Sequence, residues 1–163
     1  MMETLLRDLR QPEYLHVLLN PLPVYGLIIA LLALLISLFL RSRKGRMTGL
    51  ILVFVCAASI WPVVEFGEQG YDPVLSMSDD QGQAWLQAHK ARAEKLMFLF
   101  YVLAAAALAG LITSWKFEKF SLAAAILVIV LGFVTLGAGG YIAYAGGRIR
   151  HREFRNGTSL LPP

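Results

Sequence analysis

Charge is scarce in this chain. Lys, Arg, Asp and Glu supply 16% of its 163 residues, against about 25% in a soluble domain. Four stretches carry none: Tyr14–Leu40, Met47–Val64, Leu96–Trp115 and Phe120–Gly147, of 27, 18, 20 and 28 residues. A soluble protein with four fully buried helices would need far more polar helix to wrap them, so an ordinary soluble domain is excluded. Cysteine is nearly missing as well. Cys56 stands alone inside the second stretch, which rules out an internal disulfide, a c-type haem attachment pair and a cysteine-held metal or iron–sulfur cluster. A thiol in hydrocarbon surroundings is inert. Catalytic signatures are lacking too: there is no Gly-x-Ser-x-Gly elbow, no His-Glu-x-x-His and no phosphate-binding glycine loop. No ionisable residue lies near the middle of any stretch, which argues against the proton relays and ion paths of transporters.

What is present is apolar helix. About 20 apolar residues cross a hydrocarbon core of about 30 Å, and each stretch is long enough. The expected architecture is all-α: an integral membrane four-helix bundle, antiparallel and up-down. It forms one domain over residues 1–157, with spans at about 20–40, 47–65, 95–115 and 120–146. The tail, 158–163, is expected to be disordered. The first span is too long for a cleaved signal and ends in Arg41-Ser42-Arg43-Lys44-Gly45-Arg46 rather than at small residues.

Charge is divided unevenly between the two ends. One end, called side A, holds the amino terminus, the Glu65–Lys95 connection and the carboxyl terminus, with nine Lys/Arg and ten Asp/Glu. Side B holds two short loops with six Lys/Arg and one acid, Glu118. Lys and Arg in short loops mark the cytoplasmic face, so side B is expected to be cytoplasmic and both termini periplasmic, in a bacterial inner membrane. Arg148, Arg150, Arg152 and Arg155 on side A pull the other way. The basic loops read as membrane anchors and not as nucleic-acid sites, because no nucleic-acid-binding motif accompanies them.

Local signals refine this outline. Residues 1–13 read as a short interfacial helix, and Pro21 and Pro23 suit the first turn of a helix beginning near Asn20. Pro62 should bend the second helix and free a carbonyl. Gly70-Tyr71-Asp72-Pro73 reads as a turn. Ser78-Asp79-Asp80 reads as the start of a short amphipathic helix at about 80–92, with Trp85 at the membrane interface and sharing a face with His89. The third and fourth spans are rich in Ala and Gly, and Gly139, Ala143 and Gly147 fall four apart. Small residues at that interval let helices approach closely in lipid, or leave room for a flat cofactor. No internal repeat is visible.

The three histidines, His16, His89 and His151, all fall near span boundaries on side A, with Glu65, Glu68, Glu94 and Glu153 at the same end. Imidazole is the commonest metal ligand. Two histidines on different helices can hold haem iron from both sides, and histidines with carboxylates suit zinc, iron or copper. The candidate cofactor-binding residues are therefore His16, His89 and His151, with Glu68, Glu94 and Glu153 as metal-ligating partners. His16 and His89 are the preferred haem pair and His151 the substitute; their iron-binding nitrogens would stand about 4 Å apart, for bonds of about 2 Å. The plain alternative is a set of solvated interfacial groups paired with nearby arginines.

The segment Leu15-His16-Val17-Leu18-Leu19-Asn20-Pro21-Leu22-Pro23-Val24-Tyr25-Gly26 resembles the opening of an uncharacterised bacterial four-helix membrane-protein family, His-x3-Asn-His-x-Pro-x-x-Gly. The segment Gly146-Gly147-Arg148-Ile149-Arg150-His151-Arg152-Glu153 is similar to its closing Gly-Gly-x-Ile-Arg-His-x-Glu, and Gly67-Glu68 and His89 with Glu94 fit its middle. Pro21 stands where that family usually has a second histidine. The resemblance covers roughly residues 14–155 and implies a membrane protein of unassigned function, sometimes found beside respiratory electron-transfer components. Three functions follow as expectations. The first is an accessory or electron-transfer subunit of a respiratory-type membrane complex, docked on other subunits through the small-residue faces of helices 3 and 4. The second is a b-type haem protein, and the third a protein with a non-haem transition-metal ion. The first of these needs no cofactor of its own.

Overall fold

The computed structural model describes residues 2–155. Among these residues every regular element is helical. The elements are α1 (Met2–Asp8), α2 (Pro12–Leu19), α3 (Leu27–Phe39), α4 (Arg43–Ala58), α5 (Ile60–Gln69), α6 (Tyr71–Ser76), α7 (Asp80–Leu96), α8 (Phe98–Lys116) and α9 (Ser121–Arg150). They join into four runs, Pro12–Phe39, Arg43–Gln69, Asp80–Lys116 and Glu118–Arg150, each long and apolar enough to cross a membrane. This is the expected up-down bundle. The expected disordered tail lies outside the described residues.

The core forms where apolar faces meet. Leu27, Leu34, Leu50, Val53, Leu103 and Ala125 are fully buried there, with Phe100 and Val128 close to it. Only 28–39% of the most apolar window of each run is buried. The remainder presents side chains such as Ile29, Leu32, Val55, Leu127 and Phe133 outward. Outward apolar surface on that scale marks lipid or protein contact, since water-facing patches are small and scattered.

The runs are longer than the spans expected from the uncharged stretches, and they extend at side A. Pro21 and Pro23 do not begin the first helix. They sit inside a continuous run, where a π-helical turn, Leu22–Gly26, connects α2 to α3. A widened turn changes which carbonyl each N–H must reach, so two prolines without N–H groups are accommodated. Pro62 acts as expected on the second run, which breaks at Ser59 between α4 and α5. Gly70 to Pro73 is not a free turn: Tyr71 opens α6 directly after Gly70. Asp79 caps α7, its carboxylate accepting from the Gly82 N–H at 2.7 Å, and α7 leads through Met97 alone into α8.

Side B is tied by its basic residues as well as charged by them. Arg43 donates to the Ser114 carbonyl at 2.9 Å and the Trp115 carbonyl at 3.0 Å, satisfying acceptors that the end of α8 leaves open. Arg46 donates to the Ser121 hydroxyl at 2.9 Å, fixing the start of α9. Arg41 has a φ of 49°. With bonds from Arg41 N–H to Leu38 and from Ser42 N–H to Ser37, it closes α3 in the geometry that usually takes glycine.

A candidate cofactor site between two histidines

Side A is built from two helix pairs. In the first half, α2 lies on α5, and in the second half α7 lies on α9. His16 projects from α2 and donates its Nδ1–H to the Val63 carbonyl of α5 at 2.8 Å. His89 projects from α7 and donates its Nδ1–H to the Ile142 carbonyl of α9 at 3.0 Å. A carbonyl only accepts, so each bond places a ring proton on Nδ1, and in a neutral imidazole with that tautomer the lone pair is on Nε2. Neither Nε2 has a hydrogen-bond partner among the described residues.

Each ring also rests on a glycine. A Cβ on Gly67 would lie 2.9 Å from His16 Nδ1, and one on Gly146 would lie 3.2 Å from His89 Nδ1. Gly67 is four residues after Val63, and Gly146 is four after Ile142. The same device therefore occurs twice: a helix carbonyl takes the imidazole proton, and the residue one turn later lacks a side chain so the ring can come close. The small residues of the fourth run do make room for a flat group here, and that group is an imidazole. The other expected stripe is not a single packed face: Gly139 is buried against Phe100, Ala143 is exposed, and a Cβ on Gly147 would meet nothing within 4 Å.

The two rings meet across the halves with centroids 6.3 Å apart and planes nearly perpendicular, at 86°. A metal bonded to both Nε2 atoms in line, at about 2.0–2.1 Å each, holds imidazole centroids about 6–6.5 Å apart. The pair borders a cavity of about 550 Å³ with predominantly apolar walls, within the range of small-molecule sites. Glu68 and Glu94 reach its lining, as do Glu13, Lys90 and Arg150. His151 and Glu153 do not. They lie past α9, where His151 Nδ1 and a Glu153 oxygen are 2.7 Å apart and the His151 ring stacks on Phe154. The Glu153 carboxyl is held below its ordinary range by its own backbone N–H and then by His151. Pro21 is exposed and outside the lining, whereas its neighbour Asn20 belongs to it. Glu65 turns away from the site to accept from Gln69 at 2.7 Å.

Aromatic and cationic side chains fasten the His89 half. Trp85 packs inside the protein: it is 6% exposed and meets Tyr144 edge to face at 6.2 Å. Arg92, one turn after His89, is 8% exposed. Its guanidinium lies 4.0 Å from the Tyr141 ring centroid, and Nη1 donates to the Tyr141 carbonyl at 3.1 Å. Arg148 covers Tyr144 at 3.7 Å. Below these, Arg155 donates to Asp79 at 2.7 Å and to the carbonyls of Arg148 and Ile149, and Arg152 reaches Asp79 at 2.9 Å. Arg155 foremost, with the Gly82 N–H, holds the Asp79 carboxyl below its ordinary range.

Among the described residues no group of three His, Cys, Asp or Glu side chains is placed to hold a metal ion. A tetrahedral or facial-triad centre needs three protein ligands, whereas a porphyrin supplies four of its own and asks the protein for axial ligands only. The donor set therefore fits an axially held haem better than a bare ion. Sequence reasoning missed the two carbonyl–glycine seats. Gly67 and Gly146 were the only visible trace of them, because a carbonyl has no letter of its own. No protein-family model, curated protein or solved structure matches this chain, so the family resemblance rests on the sequence segments named above alone.

Proposed function

We propose that this is a membrane-bound electron-transfer protein that carries a b-type haem on side A, with His16 and His89 as the two axial ligands. The observation that carries the reading is the pair of imidazoles with centroids 6.3 Å apart, each bonded through Nδ1 to a carbonyl and with no partner at Nε2 among the described residues. Fixed Nδ1–H bonds set the orientation and raise the basicity of a ligating histidine. Iron held by two histidines has no open position for substrate, which suits electron transfer rather than catalysis. In keeping with this role the protein is an accessory subunit of a respiratory-type complex in the bacterial inner membrane, with both termini periplasmic. Gly137 and Gly140, beyond which a Cβ would meet nothing within 4 Å, offer the fourth run's outer surface to a neighbouring helix.

The test is the visible spectrum of protein purified in detergent after expression with haem supply. The expected result is a Soret band with low-spin reduced bands, lost or converted to high spin in both His16→Ala and His89→Ala and kept in His151→Ala. A colourless protein with no metal sinks the reading. Stoichiometric metal without porphyrin, found by elemental analysis, sinks it as well.

A further inference from the structure

The cavity has a polar edge that the haem reading does not use. Two cations line it, Lys90 of α7 and Arg150 at the end of α9. Both point to the same short element. Lys90 Nζ lies 4.7 Å from the ring centroid of Tyr71, the first residue of α6. Arg150 Nη2 lies 3.9 Å from the sulfur of Met77, the residue after α6. Between them Val74 of α6 borders the cavity. Neither cation is firmly neutralised. Lys90 is 3.9 Å from Glu94, with both side chains about half exposed, a pair of little strength. Arg150 has no carboxylate partner among the described residues. The unengaged acids of the lining, Glu13 and Glu68, lie on α2 and α5, in the half that carries His16.

We infer that the α6 edge of this cavity is an acid-binding subsite, where Lys90 and Arg150 take the two carboxylates of a porphyrin dicarboxylate. The inference rests on the haem reading above and adds to it the orientation of the ligand. The apolar walls receive the hydrocarbon edge of the macrocycle, the two imidazoles its metal, and the α6 edge its charge. Two cations on different helices, neither with a strong partner, form charge-assisted bonds to carboxylates without first breaking a structural ion pair. Arg150 can engage a carboxylate with two parallel N–H donors, Lys90 only as a point charge.

The experiment titrates the full-length protein in detergent with iron protoporphyrin IX and, separately, with its dimethyl ester. The proteins are the parent chain, Lys90→Gln, Arg150→Gln, the double variant, and a Lys95→Gln control from the same helix. The parent is expected to bind the diacid about tenfold or more tightly than the diester, a preference that shrinks with added salt. The double variant loses that preference while keeping the bis-imidazole spectrum, and Lys95→Gln keeps both. A double variant with the parent's full preference overturns the inference and leaves the haem reading standing. If neither porphyrin gives the bis-imidazole spectrum in the parent chain, the haem reading falls and this inference with it. Both substituted residues are exposed, and matching melting temperatures confirm that binding, not folding, has changed.

Discussion

A single methyl group tests the histidine seats. In Gly67→Ala the new Cβ would sit 2.9 Å from the His16 ring, a side chain tied to the Val63 carbonyl, whereas in Gly146→Ala the approach to the His89 ring is 3.2 Å. Overpacking of this kind costs about 1–3 kcal/mol. We expect Gly67→Ala to displace the imidazole, break its bond to Val63 and abolish low-spin haem ligation, and Gly146→Ala to weaken it more mildly. Difference spectra and melting curves check both, and a Gly67→Ala protein with unaltered ligation would refute the seat. Arg41 gives a prediction of the opposite sign. Its left-handed φ of 49° strains a residue with a Cβ by about 1–2 kcal/mol, and the chain has no visible use for its side chain there. Arg41→Gly should therefore stabilise the protein by about 1 kcal/mol at most, after the unfolded-state entropy of glycine is subtracted; chemical denaturation measures it. At this scale the sequence was partly legible. His16, His89, Glu68 and Glu94 reach one cavity because helix direction alternates and boundary residues of alternate runs must share an end. His151 and Glu153 share that end but pass the cavity, because the chain leaves helical geometry at residue 151 and the two side chains satisfy each other.

Elements meet at a latch. The carboxylate of Asp79 holds the first turn of α7 and, through Arg152 and Arg155, the residues following α9. Its pKa is lowered in the folded state, with Arg155 as the leading cause. The unfolded chain then takes up a proton first as acid is added. The latch's contribution is complete above the ordinary carboxylate range, declines as pH falls below it, and is lost once pH passes the lowered folded value. Protection of residues 148–155 against hydrogen exchange, after allowance for the pH dependence of intrinsic exchange, should fall over that interval and be low at every pH in Asp79→Asn. Exchange that stays slow in the variant would show that the carboxylate does not hold the tail. The N-cap at Asp79 was readable from Ser78-Asp79-Asp80, but its arginine partners were not, lying 73 and 76 positions further along. The prolines of the first run misled for a local reason. Proline commonly marks a helix start, yet a π-turn lets the chain pass through two of them.

The whole molecule was the most legible level, because four uncharged stretches leave few ways to satisfy backbone and side chains at once. The division into halves was not. Each half seats its own histidine, the first run's on the second and the third run's on the fourth, yet the two halves share no repeated sequence beyond a glycine one turn after a branched apolar residue. The up-down course puts residues 13 and 153 on one face and residue 44 on the other. In a Cys56→Ser background, Glu13→Cys and Glu153→Cys should react together with an impermeant thiol reagent on intact cells, and Lys44→Cys only after permeabilisation. Labelling of positions 13 and 153 from opposite faces would contradict the bundle itself, while labelling of position 44 alone would invert its orientation.

The carbonyl of Ile142 and the gap at Gly146, on which His89 rests, belong to the fourth run, made after the other three. During synthesis the first imidazole has its support early, once residue 67 has left the ribosome. The second leans on nothing until the fourth run has been inserted and has folded back beside α7. Any prosthetic group that needs both can therefore be held only once the fourth run is in place beside the third.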